Sequence, residues 1–321
     1  MLAAYASDLN PDDPLAALGV GERPDPEPPE GWVTVEVRAA ALNHHDVWSL
    51  RGVGLPRERL PMILGCDAAG IDPEGNEVLV HAVIGDPDWR GDETLDPKRN
   101  LLSELHPGTL AERVAVPRRN VVPKPAELSF EQAACLPTAW LTAYRMLFVK
   151  APLEPGHTVL VQGASGGVAT AAIALARAAG LRVWATGRDE EKRALAEELG
   201  AHAAFEPGAR LPDRVDAVME TVGGPAWAHS VRALKPGGTL VVSGGTAGLQ
   251  PPAELPHIFF KQLAVVGSTM GSRDELERLV TMLHLTGVRP RIDRTVALAD
   301  VAEGLAALAS GETAGKIVVL P

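Results

Sequence analysis

The feature that most constrains the fold of this chain is the alternation of strand-length and helix-length segments between residues 158 and 267. TVLVQGA (158–164) has the length and apolar character of a buried strand, and GGVATAAIALARAAG (166–180) that of a helix rich in small residues. The pair repeats as RVWATG (182–187) and DEEKRALAEELG (189–200), and the pattern continues through VDAVMETV, WAHSVRAL, TLVVSGG and LAVVGST. Strands separated by helices of this length predict a parallel, doubly wound sheet, and therefore the α/β class.

A glycine-containing turn, ASGGVA (164–169), connects the first strand of this region to its helix. Its two glycines let the backbone approach a pyrophosphate, and the helix N-terminus offers free N–H groups to that anion. The outer glycines of the usual G-x-G-x-x-G pattern are Ala164 and Ala169 here, so a tight turn without a ligand is the alternative interpretation. We predict a dinucleotide site whose pyrophosphate contacts are Ser165, Gly166, Gly167 and Val168.

The end of the second strand indicates which dinucleotide is bound. It reads Ala185-Thr186-Gly187-Arg188, without the acidic residue that usually contacts the adenine ribose in NAD-binding folds. A guanidinium at Arg188 can pair with a 2′-phosphate, and Lys192 follows one helical turn later. The alternative is that Arg188 is a solvated residue among neighbouring acids. We predict NADPH, with NADH as the second choice.

The flanking regions are richer in strand patterns. WVTVEVRAAAL (32–42) alternates apolar and polar residues, and EVLVHAVIG (77–85) and AERVAVP (111–117) predict further short strands. The polar stretch 86–109 between them predicts a surface excursion with little local structure. FEQAACLPTAWLTAYRMLFVK predicts helix interrupted near Pro137, and the tail predicts a helix (DVAEGLAALAS) and a strand (KIVVLP). With 321 residues, the chain is long enough for two domains.

Charge and cysteine content exclude several classes. The net charge of −11 and the pI of about 5.3 give no electrostatic reason to bind nucleic acid or an anionic membrane. No apolar stretch approaches membrane-spanning length. The two cysteines, Cys66 and Cys135, are too few for a disulfide framework or a four-thiolate zinc site. The cysteine content favours a reducing cytoplasm, and the predicted dinucleotide site favours a small-molecule substrate.

Ordered segments along nearly the whole chain resemble the medium-chain dehydrogenase/reductase superfamily, and within it the zinc-independent quinone oxidoreductase-like branch. The segments are ALNHHDVW (41–48), PMILGCDAAG (61–70), LTAYRML (141–147), VLVQGASGGVATAAIALA (159–176), GRDEEKRALAEELGA (187–201), ETVGG (220–224), LKPGGTLVVSGG (234–245), FFKQLAVVGSTMG (259–271) and GKIVVL (315–320). The resemblance implies a GroES-like, β-rich catalytic domain (1–130 and 270–321), a Rossmann domain (131–269) and an active site in the cleft between them. It also implies a homodimer joined at the edges of the Rossmann sheets, with TLVVSGG and LAVVGST as the edge elements.

The zinc-dependent members of this superfamily hold their catalytic zinc with Cys, His and Cys. The corresponding residues here are Asn43, Cys66 and Thr138, and two of these are poor zinc ligands. The four-cysteine structural zinc loop is also missing. We therefore expect no metal. An unorthodox site among His44, His45, Cys66, Asp67 and His81 stays open as an alternative, although hydrogen-bonded histidines are the simpler interpretation.

The resemblance also implies roles for individual residues. Asn43 would border the nicotinamide and donate a hydrogen bond through its amide, and His45 would be a second donor or the proton source. Asp46 would be either a conserved acid or, as we favour, a structural residue that orders this segment. Lys316 would either reach the cofactor cleft or be structural. The other expected cofactor contacts are Thr138, Thr142, Gly187, Gly244, Gly245 and Phe260.

The absence of a Lewis acid favours a substrate that is already activated. A simple ketone benefits greatly from zinc, whereas a quinone or an α,β-unsaturated carbonyl needs mainly positioning beside the hydride. The sequence therefore predicts an NADPH-dependent reductase of quinones or enones. The alternatives are a zinc-dependent alcohol dehydrogenase with atypical ligands and an NADPH-binding protein without catalysis.

Overall fold

The structure, a computed structural model, describes residues 1–321 and divides the chain into two compact units. Unit 1 comprises Met1–Ala139 and Gly271–Pro321, and unit 2 comprises Trp140–Met270. The first boundary lies later than the expected residue 131. The reason is that the helix Phe130–Ala134 packs on the strands Trp32–Ala41 and Asp67–Ile71 of unit 1.

Unit 1 is rich in short strands, whereas strands and helices alternate in unit 2. The strands are β1 (Leu2–Ala6), β2 (Leu18–Glu22), β3 (Trp32–Ala41), β4 (Met62–Ile63), β5 (Asp67–Ile71), β6 (Glu77–Val80), β7 (Val83–Ile84), β8 (Asn100–Leu101), β9 (Arg113–Pro117), β10 (Val121–Pro123), β11 (Thr158–Val161), β12 (Arg182–Thr186), β13 (Ala203–Phe205), β14 (Val215–Glu220), β15 (Leu234–Val242), β16 (Ala264–Gly267), β17 (Ile292–Ala297) and β18 (Lys316–Leu320). The helices are α1 (His44–Leu50), α2 (Phe130–Ala134), α3 (Leu141–Arg145), α4 (Gly167–Ala178), α5 (Glu190–Glu198), α6 (Trp227–Ala233), α7 (Leu255–Phe260), α8 (Arg273–Thr286) and α9 (Val301–Ser310). Two π-helical turns, Leu136–Trp140 and Met146–Lys150, adjoin α3 around the predicted interruption.

Unit 1 is built on a seven-stranded sheet in the order β10-β6-β5-β3-β18-β17, with β9 also paired to β3. Along β3, Val33, Val35 and Val37 are buried while Glu36 and Arg38 are exposed, as the alternating sequence predicts. The last strand, β18, lies between β3 and β17, so the C-terminal segment completes a sheet begun near the N-terminus. The two arms of unit 1, a first arm of Met1–Ala139 and a second arm of Gly271–Pro321, therefore share one core.

Unit 2 contains the predicted doubly wound sheet. Six parallel strands run in the order β13-β12-β11-β14-β15-β16. The strand order reverses between β11 and β14, and ligands of such sheets bind at the carboxyl ends of the strands at this point. LAVVGST forms the edge strand β16, but TLVVSGG forms β15, which is paired on both sides. The expectation that TLVVSGG is an edge element is therefore wrong.

The polar excursion 86–109 is more ordered than its sequence suggests. It contains a 3-10 turn at Glu93–Leu95 and the short strand β8, which pairs with β7. Its Leu101–Glu104 segment turns back on itself, because the Glu104 amide donates to the Leu101 carbonyl. None of the helices in the structure is both long and apolar enough to cross a membrane.

Candidate functional site

A buried ammonium group organises the middle of unit 1. Lys316, the first residue of β18, is 2% exposed. Its Nζ donates to the Leu42 carbonyl at 2.7 Å, to Asn43 Oδ1 at 2.7 Å and to Asp67 Oδ2 at 3.0 Å. All three N–H bonds of the ammonium are thus used within the protein. This geometry favours the structural alternative for Lys316 over a contact with the cofactor.

The amide of Asn43 is also fully used. Its Nδ2 donates to Asp67 Oδ2 at 2.8 Å and to the Ala41 carbonyl at 3.2 Å, while its Oδ1 accepts from Lys316. An amide nitrogen carries only two hydrogens, so none is left for a bound molecule. We expected Asn43 to donate to the substrate. In the structure, its amide instead connects the buried charges of Lys316 and Asp67.

Asp46 contacts the backbone at the start of α1. Its Oδ2 accepts from the Asn43 backbone N–H at 2.8 Å, in the reciprocal cap that begins α1. The residue is fully buried, and burial raises the pKa of its carboxyl to about 6. The charge state of Asp46 therefore affects the hydrogen bond that begins α1.

His45 has polar partners at both ring nitrogens. Its Nε2 lies 3.1 Å from Glu104 Oε1, and its Nδ1 lies 3.4 Å from both Cys66 Sγ and Ser103 Oγ. Burial lowers the pKa of His45, whereas the hydrogen bonds to Cys66 and Glu104 and the charge of Asp46 raise it. Burial raises the pKa of the Cys66 thiol, which therefore stays protonated. The arrangement is a fixed imidazole ring poised to carry a proton.

Two of these partners, Ser103 and Glu104, were not identified from the sequence. Both lie in the polar excursion, and Ser103 has the left-handed backbone value φ 70, which is uncommon for a residue other than glycine. Glu104 Oε2 accepts from the Leu101 N–H at 3.1 Å, which orients its carboxylate towards His45. The contact joins residues 59 positions apart, so no local pattern could have revealed it.

The residues at the family's zinc positions do not fit a zinc ion. The oxygen of Asn43 accepts from the Lys316 ammonium, and a cation beside it repels a second one. Cys66 has a protonated thiol, whereas zinc binds thiolate. No three His, Cys, Asp or Glu side chains lie close enough together to hold a metal ion. His81 contacts Glu93 instead, at 3.1 Å, which argues against the unorthodox site.

The predicted dinucleotide turn lies at the carboxyl end of β11 in unit 2. Gly166 is the N-cap of the twelve-residue helix α4, and no side chain caps that helix. A Cβ added at Gly166 would meet no atom within 4 Å, so the space over the turn is open. Gly163, at φ +82, donates its N–H to Thr186 Oγ1 at 3.1 Å. An uncapped helix start beside open space fits the pyrophosphate of a dinucleotide.

The end of β12 carries the predicted specificity residues. A Cβ at Gly187 would lie 2.9 Å from Arg193 Cγ, so this position requires glycine because helix α5 begins so close to it. Arg188 is exposed, and its charge is among the causes that lower the pKa of the neighbouring Asp189. Lys192 Nζ lies 3.6 Å from Asp189 Oδ2. Arg188 is therefore the cation of this group that stays available to a 2′-phosphate.

The remaining expected cofactor residues are divided between the units. Thr138 lies in unit 1 and Thr142 in unit 2, and Thr138 Oγ1 is buried without a hydrogen-bond partner. Gly244 and Gly245 follow β15, where their loop packs on the loop after β14. Phe260 lies on the exposed side of α7, is 78% exposed and contacts the ring of Phe259. Their contacts with a cofactor stay predictions.

Comparison with known proteins identifies the family of the chain. The family model described as alcohol dehydrogenase GroES-like domain matches residues 29–126, and the one described as zinc-binding dehydrogenase matches residues 167–284. The chain is 30% identical to acryloyl-coenzyme A reductase from Metallosphaera sedula, over 94% of this chain and 95% of that protein.

Solved structures give the same result. A crystal structure of an NAD-dependent alcohol dehydrogenase superposes with a TM-score of 0.92 at 32% identity, covering 100% of both chains. The 2-octenoyl-CoA carboxylase reductase CinF, solved in complex with NADP and 2-octenoyl-CoA, superposes with a TM-score of 0.92 at 25% identity, covering 99% of this chain and 87% of that one. The chain therefore belongs to the medium-chain dehydrogenase/reductase superfamily of oxidoreductases.

Proposed function

We propose that this protein is an NADPH-dependent reductase of α,β-unsaturated carbonyl compounds, with enoyl thioesters as the preferred class. The observation that carries the proposal is the His45–Glu104 pair. The pair would supply a proton beside Cys66, one of the positions at which the zinc-dependent members of the superfamily hold their catalytic zinc. The similarity to an acryloyl-coenzyme A reductase supports the thioester class.

The proton is held at a defined atom. Glu104 Oε1 accepts from His45 Nε2, and a carboxylate partner stabilises the charged imidazole. The side chains of His45 and Glu104 are 19% and 20% exposed, whereas Cys66 and Ser103 are fully buried. A proton therefore leaves this cluster through the His45–Glu104 side. In the proposed reaction it goes to the α-carbon of the substrate.

This chemistry suits an activated double bond. When bound, the reduced nicotinamide supplies a hydride, which adds to the β-carbon and leaves an enolate. The chain then has only to deliver one proton and orient the substrate, and neither task needs a Lewis acid. We also propose that the enzyme contains no zinc, because Asn43 and Cys66 are occupied by other partners.

The preference for NADPH is proposed from Arg188 and from the NADP complex of the CinF structure. An exposed guanidinium at the end of the second strand of the sheet can bind a 2′-phosphate bidentately. The similarity to an NAD-dependent alcohol dehydrogenase supports the opposite choice. Measured affinities for both dinucleotides decide between them.

The test is a substrate panel with the purified, metal-analysed protein. NADPH oxidation would be followed with crotonyl- and acryloyl-thioesters, a cyclic enone and a quinone, and NADP⁺ reduction with primary and secondary alcohols. We expect the thioesters to give the highest kcat/KM in protein that contains less than stoichiometric zinc. The His45→Gln variant should retain NADPH binding and lose most turnover. Preferential alcohol oxidation with one zinc per chain would refute the proposal. Tight NADPH binding without turnover of any acceptor would indicate the non-catalytic alternative.

We also propose a homodimer formed through the β16 edge of unit 2. This edge strand has unpaired backbone groups on one side, and Val265 on it is 44% exposed. Three large apolar side chains of the nearby helix α7 are also exposed. They are Leu255, Phe259 and Phe260. A bare edge strand next to an exposed apolar patch is typical of an association surface.

A further inference from the structure

Unit 2 contains a pocket of about 380 Å³ that plays no part in the proposed reaction. The loop between β13 and β14 forms one wall, and the last turn of α6 forms the other. Its charged lining residues are Arg210, Arg214, Arg232 and Asp213. We refer to this as the arginine pocket.

The arginine pocket concentrates positive charge in a chain whose net charge is −11. Arg210 and Arg232 have no hydrogen-bond or ion-pair partner for their side chains, and Arg214 Nη1 donates to the Arg232 carbonyl at 2.7 Å. Lys261 Nζ donates to the same carbonyl at 2.9 Å. Burial and then the charge of Arg214 lower the pKa of Lys261, and no carboxylate acts against them. Asp213 is the one carboxylate among the lining residues, so the three arginines leave the pocket with a net positive charge.

The position of the pocket separates it from the dinucleotide turn. Its loop enters β14 at the amino end, because Arg214 directly precedes Val215. The glycine turn instead follows the carboxyl end of β11, which is parallel to β14. A six-residue strand is roughly 20 Å long at about 3.3 Å per residue. An anion in the arginine pocket is thus distinct from the pyrophosphate of the cofactor.

A buried network fixes the wall of the pocket. His229, which is 9% exposed, lines the pocket and donates from Nε2 to the Ala209 carbonyl at 2.9 Å. Its Nδ1 accepts from Gln162 Nε2 at 3.0 Å, and Gln162 Oε1 accepts from Thr186 Oγ1 at 2.8 Å. Burial lowers the pKa of His229, in keeping with a neutral ring that accepts at Nδ1. The Ala209 end of the loop is therefore anchored to the core of the sheet.

We propose that the arginine pocket is a second anion-binding site, which takes the phosphate groups of a small organic phosphate. Guanidinium groups bind phosphate through paired hydrogen bonds, and two of those lining the pocket are uncommitted. The volume lies within the range of small-molecule sites. The apolar side chains of Leu211 and Pro212 also line the pocket and give the organic part of such a ligand a surface to contact.

The test uses inorganic pyrophosphate as the probe and calorimetric titration of the full chain, with and without saturating NADP⁺. We expect a Kd below about 1 mM that persists when NADP⁺ is present. The double variant Arg210→Ala/Arg232→Ala should weaken binding at least about tenfold, because it removes two charged donors. The matched control is Arg182→Ala, an exposed arginine of unit 2 outside the pocket, and it should leave the Kd unchanged.

Two results would overturn the proposal. One is the absence of pyrophosphate binding to the wild-type protein. The other is binding that survives in the double variant; its loss in Arg188→Ala would then place the anion at the end of β12. Thermal unfolding of each variant checks the fold, and Arg210→Gln/Arg232→Gln repeats the test with longer neutral side chains. None of these readouts requires the enzyme to turn over a substrate, so failure of the proposed function is seen separately.

Discussion

Removing the Lys316 ammonium should cost unit 1 much of its stability. In Lys316→Met the buried carboxylate of Asp67, which is 0% exposed, loses its cationic partner, and Asn43 Oδ1 and the Leu42 carbonyl lose a donor. Breaking a buried ion pair from one side typically costs about 3–5 kcal/mol, because the remaining charge is left uncompensated. For a unit of 150–250 residues this corresponds to a fall in Tm of about 6–20 °C.

The assay is urea and thermal unfolding of Lys316→Met beside Lys235→Met. Lys235 makes a comparable ion pair with Asp216, at 2.9 Å, but their side chains are 41% and 21% exposed. That control should lose less than about 1 kcal/mol. Adding Asp67→Asn to Lys316→Met should restore part of the loss, since it removes the unpaired charge. A loss below about 1 kcal/mol in Lys316→Met, or a double variant as unstable as the sum of the singles, would refute the reasoning.

Three further predictions follow from the site and the sheet edge. In Glu104→Gln, activity should be lost at lower pH than in the wild type, because Glu104 raises the pKa of His45, which is active while protonated. NMR titration of the imidazole checks this without turnover, and an unchanged titration would contradict it. Arg188→Ala should weaken NADPH binding about tenfold and leave NADH binding unchanged, as measured by nicotinamide fluorescence; equal losses for both would remove the argument for a 2′-phosphate contact. Val265→Lys should shift a dimer to monomer in sedimentation experiments, while the equally exposed control Val149→Lys should not; a dimer that survives Val265→Lys would place the interface elsewhere.

The fold was predictable because its signals are local. The apolar runs of unit 2, the glycines of the turn after β11 and the alternation along β3 each occupy a few adjacent residues, and the structure has them as predicted. Strand order, by contrast, depends on pairing between segments that are distant in sequence. TLVVSGG and LAVVGST are similar in composition, and only the pairing of β16 with β15 shows which of them ends the sheet.

The candidate site was predicted only in part, for the same reason. His45 and Asp46 could be singled out from their neighbours and from the resemblance, but the residues that set their properties are distant in sequence. Glu104 reaches His45 across 59 positions, and Lys316 reaches Asn43 across 273. The contacts of the Asn43 amide could not be predicted, because the buried ammonium and carboxylate that occupy it come from β18 and β5.

The origin of the central ammonium in β18 sets the order in which the protein is assembled during translation. Unit 2 is continuous in sequence, whereas the first arm of unit 1 must wait for Lys316 to leave the ribosome. At about 5–20 residues per second, the roughly 180 residues after Ala139 take on the order of 10–40 s to synthesise. During that time Asp67 has no cation and β3 lacks its β18 neighbour. The nascent first arm, rather than the Rossmann unit, is therefore the part of the chain that waits longest for its native contacts.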